Sequence, residues 1–105
     1  MCYIFLMIRI PEPVQFEWDA GNRDKNWVKH QVKQSEAEEV FFDADKKLAH
    51  DVFHSTANES RYLLLGCTKA GRLLFVVFTI REKRVRVISA RDAHKKERPL
   101  YEKQT

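Results

Sequence analysis

Residues 73–91 read Leu-Leu-Phe-Val-Val-Phe-Thr-Ile-Arg-Glu-Lys-Arg-Val-Arg-Val-Ile-Ser-Ala-Arg, and their pattern decides the fold. From Leu73 to Ile80 the run is apolar except for Thr79, short for a helix and rich in β-forming side chains, as a central strand requires. Arg84 to Arg91 alternates polar and apolar, as a strand with one wet face does. With only Glu82 and Lys83 between them, the two strands should form a hairpin that sets Thr79 opposite Arg86 and Arg81 opposite Arg84. Strict alternation would then send Arg84 and Arg86 to one face and Val85, Val87, Ser89 and Arg91 to the other. A guanidinium on the apolar side needs an anion, either a buried carboxylate such as Glu97 or a phosphate.

Outward from this hairpin the elements alternate less clearly. Tyr62–Leu65 is a strand candidate, Lys69–Arg72 a turn, and Leu48–Phe53 a weaker strand. Ser35 and Glu38 have the spacing of a capping box. Ala37, Val40 and Phe41 follow at i, i+3 and i+4, predicting a short helix that ends near Phe42. Further upstream, Phe16-Glu17-Trp18 alternates like a short strand, and Asp19 stands where a helix cap belongs. On a helix from Ala20 to His30, Asn22, Arg23, Lys25, Asn26, Lys29 and His30 share one side, with Ala20, Trp27 and Val28 on the other. Downstream, Asp92 is the expected cap of a terminal helix that Pro99 interrupts. The order β-α-α-β-β-β-β-α predicts an α+β fold, an antiparallel β-sheet with helices packed on it. Residues 16–105 are read as one domain. Residues 1–15 are read as an apolar appendage marked off by Pro11 and Pro13, its first part a buried or partner-paired strand.

The whole chain has 105 residues, 19 Lys plus Arg against 15 Asp plus Glu, and a net charge of +4. At 44% hydrophobic and 32% charged, with three Gly and three Pro, it is no disordered or collagen-like sequence. The distribution of charge is informative. Residues 1–80 hold 10 basic and 11 acidic side chains, whereas residues 81–105 hold nine basic and four acidic. The whole surplus lies in the last quarter, suggesting a polyanionic partner or an acidic protein surface.

Several site types are missing from the sequence. It has no glycine-rich phosphate loop, Cys-x-x-Cys pair or His-Glu-x-x-His. Its histidines, His30, His50, His54 and His94, fall on different elements, so no metal site and no cofactor is expected. Cys2 and Cys67 read as reduced thiols of a cytoplasmic protein, and Cys67 as a small core residue. Met1 to Ile8 is apolar throughout but far below the ~20 residues that span a bilayer. Without a basic n-region it is not read as a signal peptide.

The ordered set Phe16-Glu17-Trp18-Asp19, Asn26, Lys29-His30, Glu36-Ala37, Val40-Phe41 and Asp43 resembles the opening of the BrnT-type toxins. Glu59-x-Arg61-Tyr62-x-x-x-Gly66 is similar to their middle. Gly71-Arg72-Leu73-Leu74, Val76-Val77, Thr79, Arg81, Arg86, Ile88-Ser89-Ala90-Arg91, Ala93, Glu97 and Tyr101 resemble their close. The resemblance covers about residues 16–102. It implies a RelE-like ribonuclease toxin of a type II toxin–antitoxin system that inhibits translation and growth. It also implies a ribbon-helix-helix antitoxin like BrnA, an RNA substrate, and operator DNA touched only through the antitoxin. A dimer can form within that complex.

RNA carries its own nucleophile, the 2′-hydroxyl, so such a toxin needs only to orient it, stabilise the phosphorane and move protons. The catalytic candidates are then Lys25, Lys29, His30, Arg61, Arg81 and Arg91, with His30 suited to proton transfer near neutrality. The RNA-binding candidates are Trp18, Asn26, Arg86 and Tyr101, the two aromatics being able to stack a base. Gln31 stands where the family usually carries Gly, and Pro99 where it prefers a helix former. These departures favour the competing reading, a non-catalytic homologue acting as co-repressor or nucleic-acid-binding module.

Overall fold

A computed structural model describes residues 10, 12, 14–18, 29–51, 55–56 and 59–103. The elements are β1 (Phe16–Glu17), α1 (Gln34–Glu39) running into a 3-10 turn (Val40–Phe42), β2 (Lys47–Asp51), β3 (Arg61–Cys67), β4 (Leu73–Arg81), β5 (Arg84–Asp92) and α2 (Arg98–Glu102). The five strands form one sheet in the order β1-β5-β4-β3-β2. β2 to β5 are antiparallel neighbours, while β1 lies parallel to β5, so the sheet is mixed rather than wholly antiparallel.

The hairpin forms in the expected register, Thr79 opposite Arg86 and Arg81 opposite Arg84. Glu82 and Lys83 both take the left-handed region, with φ of 51° and 63°. A two-residue hairpin of this twist requires that, although neither side chain favours it. Replacing the pair by Asn-Gly should therefore raise the unfolding free energy by about 1 kcal/mol. The readout is a higher urea midpoint at unchanged slope; a lower midpoint would show that the turn stores no such strain.

Beyond the turn the strict alternation fails. Val77 pairs with Ser89 but Phe78 pairs with Val87, so Ile88 is an extra residue in β5. Such a bulge reverses the parity of everything after it. Arg86 opposite Thr79 and Arg91 opposite Phe75 consequently share a face, correcting the expectation that they part. Val85, Val87 and Ala90 keep the other face, each 1% exposed or less.

The face of Val85, Val87 and Ala90, taken as the first face of the sheet, carries the larger core; Arg86 and Arg91 stand on the second. Leu64, Leu74, Val76, Phe78, Val85, Val87 and Ala90 pack with Val32, Ala37, Val40 and Phe41 from the α1 region. The 3-10 turn approaches β3 so closely that a Cβ on Gly66 would stand 2.9 Å from Val40. On the second face Ala49, Leu63, Leu65 and Phe75 are covered by Leu100 and Tyr101 of α2.

Helix ends differ from the expected ones. α1 begins at Gln34 with Lys33 as its cap residue, and the Glu36 carboxylate accepts the Lys33 N–H at 3.0 Å. The Ser35–Glu38 box is therefore displaced by two positions. Asp92 ends β5 rather than capping a helix, and Glu97 precedes α2. Pro99 sits in the first turn of α2, where its missing N–H costs no bond, so it does not interrupt the helix. Lys29 and His30 are helical. The rest of the helix expected over Ala20–His30, its expected cap Asp19 and the strand expected in Met1–Ile8 lie outside the described residues.

Candidate functional site

Two arginine-centred networks shape one end of the sheet. Arg72, just before β4, donates to Asp92 Oδ1 at 2.6 Å and Oδ2 at 3.1 Å, and to both Glu36 oxygens at 3.2 Å. It also donates to the carbonyls of Gln31 at 2.9 Å and His30 at 3.1 Å. One guanidinium thus pins the Lys29–Gln31 segment to the ends of β5 and α1. The Arg72 hydrogen bonds hold the Asp92 carboxyl below its ordinary range, against the opposing effect of burial. Gln31 adopts φ of 53°, so the left-handed position that suits glycine is kept with a side chain present.

Arg91 makes the second network. Its two terminal nitrogens donate to Glu97 at 2.8 and 2.9 Å, and one of them to the Asp92 carbonyl at 3.0 Å. Its guanidinium carbon lies 4.3 Å from the Phe75 ring centre, a cation–π contact. Glu97 is 2% exposed and accepts the His94 N–H at 2.7 Å as well. Of the two anions that Arg91 could have required, the chain supplies the carboxylate.

Lys29, His30, Gln31, Arg72, Arg91, Asp92 and His94 line an open cleft of about 420 Å³. Lys29, His30 and Arg91 were candidates from sequence. Arg72 and His94 were missed as site residues, although Arg72 belongs to the pattern that carries the family resemblance. His94 follows Arg91 by three residues, a proximity that could have drawn attention to it.

A second hollow of about 200 Å³ opens on the second face, lined by Glu59, Arg61, Thr79, Arg86 and Ile88. Register places Asp51, Arg61, Thr79, Arg86 and Glu17 in one row across all five strands. Arg81 lies one row nearer the turn, with Nη2 3.1 Å from Glu59. Arg86 and Arg91 face Thr79 and Phe75, four positions apart on β4, so the two clefts lie ~13 Å apart along the strand.

The aromatic candidates have protein partners. The Trp18 indole N–H donates to Glu38 at 2.7 Å, and its ring packs on the first core. The Tyr101 hydroxyl donates to Asp43 at 2.6 Å; burial and that carboxylate push its pKa well up. Lys25 and Asn26 lie outside the described residues. Among the described residues, no group of three or more His, Cys, Asp or Glu is placed to hold a metal ion, and no helix is long and apolar enough to cross a membrane.

Fold and site together define a small α+β domain with a half-covered, arginine-rich sheet face. The family model described as "Ribonuclease toxin, BrnT, of type II toxin-antitoxin system" matches residues 18–97, and the chain belongs to that family. Family membership makes it a ribonuclease toxin with an antitoxin as partner. Its fold is similar to the 1.1 Å crystal structure of the Brucella abortus ribonuclease toxin BrnT, with a TM-score of 0.53 at 22% identity. The likeness covers 78% of this chain and 99% of that one. Among curated proteins none matches the sequence.

Proposed function

We propose that the chain cuts single-stranded RNA by attack of its own 2′-hydroxyl, with the Lys29–His30–Arg91 cleft as the reacting centre. The observation that supports this reading is the meeting there of an ammonium, two imidazoles and two guanidiniums on elements far apart in sequence. In the reaction the 2′-oxygen bonds to phosphorus, the bond to the 5′-oxygen breaks, and a 2′,3′-cyclic phosphate and a 5′-hydroxyl result. His30 is assigned proton transfer and Lys29 stabilisation of the charged phosphorane. Arg91, oriented by Glu97 and Phe75, holds its charge beside them. Arg61, Arg81 and Arg86 extend the same cationic face along the strand.

These groups supply both charge and proton transfer from side chains, so cleavage should continue in EDTA. The test is digestion of RNA by the purified protein with a chelator, with analysis of product ends. A single 2′-deoxy substitution at the cut site should abolish cutting there. Equal cutting of the deoxy substrate, or no cutting of any RNA with or without ribosomes, would end the reading.

The antitoxin is proposed to be a ribbon-helix-helix protein whose acidic segment covers this cationic face. It would bring the toxin, as a dimer within the complex, to operator DNA in the cytoplasm. The competing co-repressor reading drew on Gln31 and Pro99. The first keeps the left-handed conformation and the second fits the first turn of α2, so both are accommodated.

A further inference from the structure

The hollow on the second face has a construction of its own. In the row Arg61–Thr79–Arg86 a short side chain stands between two long cationic ones, on strands ~4.8 Å apart. Thr79 is 3% exposed, and its hydroxyl donates to the Ser60 carbonyl at 2.8 Å, so the floor is fixed. Ile88, the bulge residue, forms an apolar side. The acids at the ends of the row, Asp51 and Glu17, lie on the outer strands. Glu59 is the single carboxylate among the lining residues.

Glu59 is held there by its own backbone. Thr56 N–H donates to the Glu59 carbonyl at 2.8 Å, and Glu59 N–H donates to the Thr56 hydroxyl at 3.0 Å. Its carboxylate reaches Arg81 at 3.1 Å and Arg61 at 3.9 Å, with a third of its side-chain surface exposed. A carboxylate therefore already stands between the Arg81 and Arg61 guanidiniums at the side of the hollow.

We propose that this hollow is a phosphodiester subsite for the RNA strand flanking the cut, and that Glu59 occupies the phosphate position in the free protein and limits affinity. The proposal deepens the nuclease reading, on which it rests for the identity of the strand. Displacing Glu59 exchanges one exposed ion pair for another, so the effect is modest and measurable. Phosphate is favoured over a peptide carboxylate because Arg86 in the hollow and Arg91 at the cleft stand on the same face of β5, ~13 Å apart, about two phosphate spacings along an extended strand.

The experiment is binding of a short labelled 2′-O-methyl RNA, which cannot be cut, over a potassium chloride series. Glu59→Gln should tighten binding roughly two- to fivefold. Arg86→Gln should weaken it about tenfold and lower the salt slope by ~0.7. Thermal midpoints confirm that each variant is folded; the bonds fixing Glu59 are backbone bonds that Gln retains. Unchanged or weaker binding by folded Glu59→Gln overturns the proposal, as does failure of the oligonucleotide to bind any variant. A glutamate hexapeptide that gains from Glu59→Gln while the oligonucleotide does not would make the hollow a carboxylate receptor and overturn it too. Cleavage is assayed separately on 2′-hydroxyl RNA. A Glu59→Gln gain without cleavage retains the phosphate subsite and ends the nuclease reading; cleavage without that gain does the reverse.

Discussion

Arg91→Ala is expected to lower the unfolding free energy by about 3–5 kcal/mol, because it strips a buried carboxylate of its counter-charge. Glu97 is 2% exposed, and two of its hydrogen bonds come from Arg91. The remaining bond, from His94 N–H, cannot compensate an isolated buried anion. For a domain of this size even the lower figure implies a Tm fall of roughly 12 °C or more. Urea unfolding of Arg91→Ala, Arg91→Lys and the double variant Arg91→Met/Glu97→Leu checks the cause. Lys should be intermediate and the double variant should recover much of the loss; a cost below about 1 kcal/mol for Arg91→Ala would refute the account.

The same pair has a pH signature. Burial alone would raise the Glu97 carboxyl, but the bonds from Arg91 and His94 outweigh it and hold the group below its ordinary value. Asp43 and Asp92 are lowered as well. The unfolded chain then binds more protons than the folded one as pH drops, so this stability is present near neutrality. It should be lost as pH falls below about 4, through the folded-state values. Arg91→Ala should remove the share that belongs to Glu97. Loss of cleavage in that variant would consequently report disrupted structure as much as missing chemistry.

His30→Ala is the cleaner probe of chemistry, with kcat for RNA cleavage expected to fall about 10²- to 10⁴-fold. The segment is anchored through the His30 and Gln31 carbonyls, which Arg72 holds regardless of the side chain at position 30. Fold and thermal midpoint should therefore stay close to wild type. His94→Ala is the companion, since His94 lines the same cleft. A kcat within threefold of wild type for His30→Ala would remove it from proton transfer, and a large loss confined to His94→Ala would reassign that role.

Much of the sheet was legible because its signals are local. The run Leu73–Ile80, the alternation after Arg84 and a two-residue gap determine a hairpin and its register. Helix ends were harder: the Glu36 bond to Lys33 and the placement of Pro99 depend on where the chain enters each helix. The bulge was hidden because Ile88 and Ser89 continue a plausible strand. Its trace is the spacing of inward residues, Val85, Val87 and then Ala90, a step of three where alternation demands two. Missing it separated Arg86 from Arg91, so the cationic face was underestimated. The Lys29–His30 cleft depends on Arg72 bonds to carbonyls 41 and 42 residues earlier in the chain, which no local pattern announces.

β1 gives the molecule an order in time as well as in space. β2 to β5 pair with strands adjacent to them along the chain, whereas Phe16 and Glu17 pair with Val85 and Arg86 across about two-thirds of its length. Loop closure taxes distant pairings most, so the meander is the natural nucleus and β1 docks late. Contacts made after the rate-limiting step govern how fast a protein opens rather than how fast it forms. The two-residue strand at the edge therefore acts chiefly on the lifetime of the folded toxin.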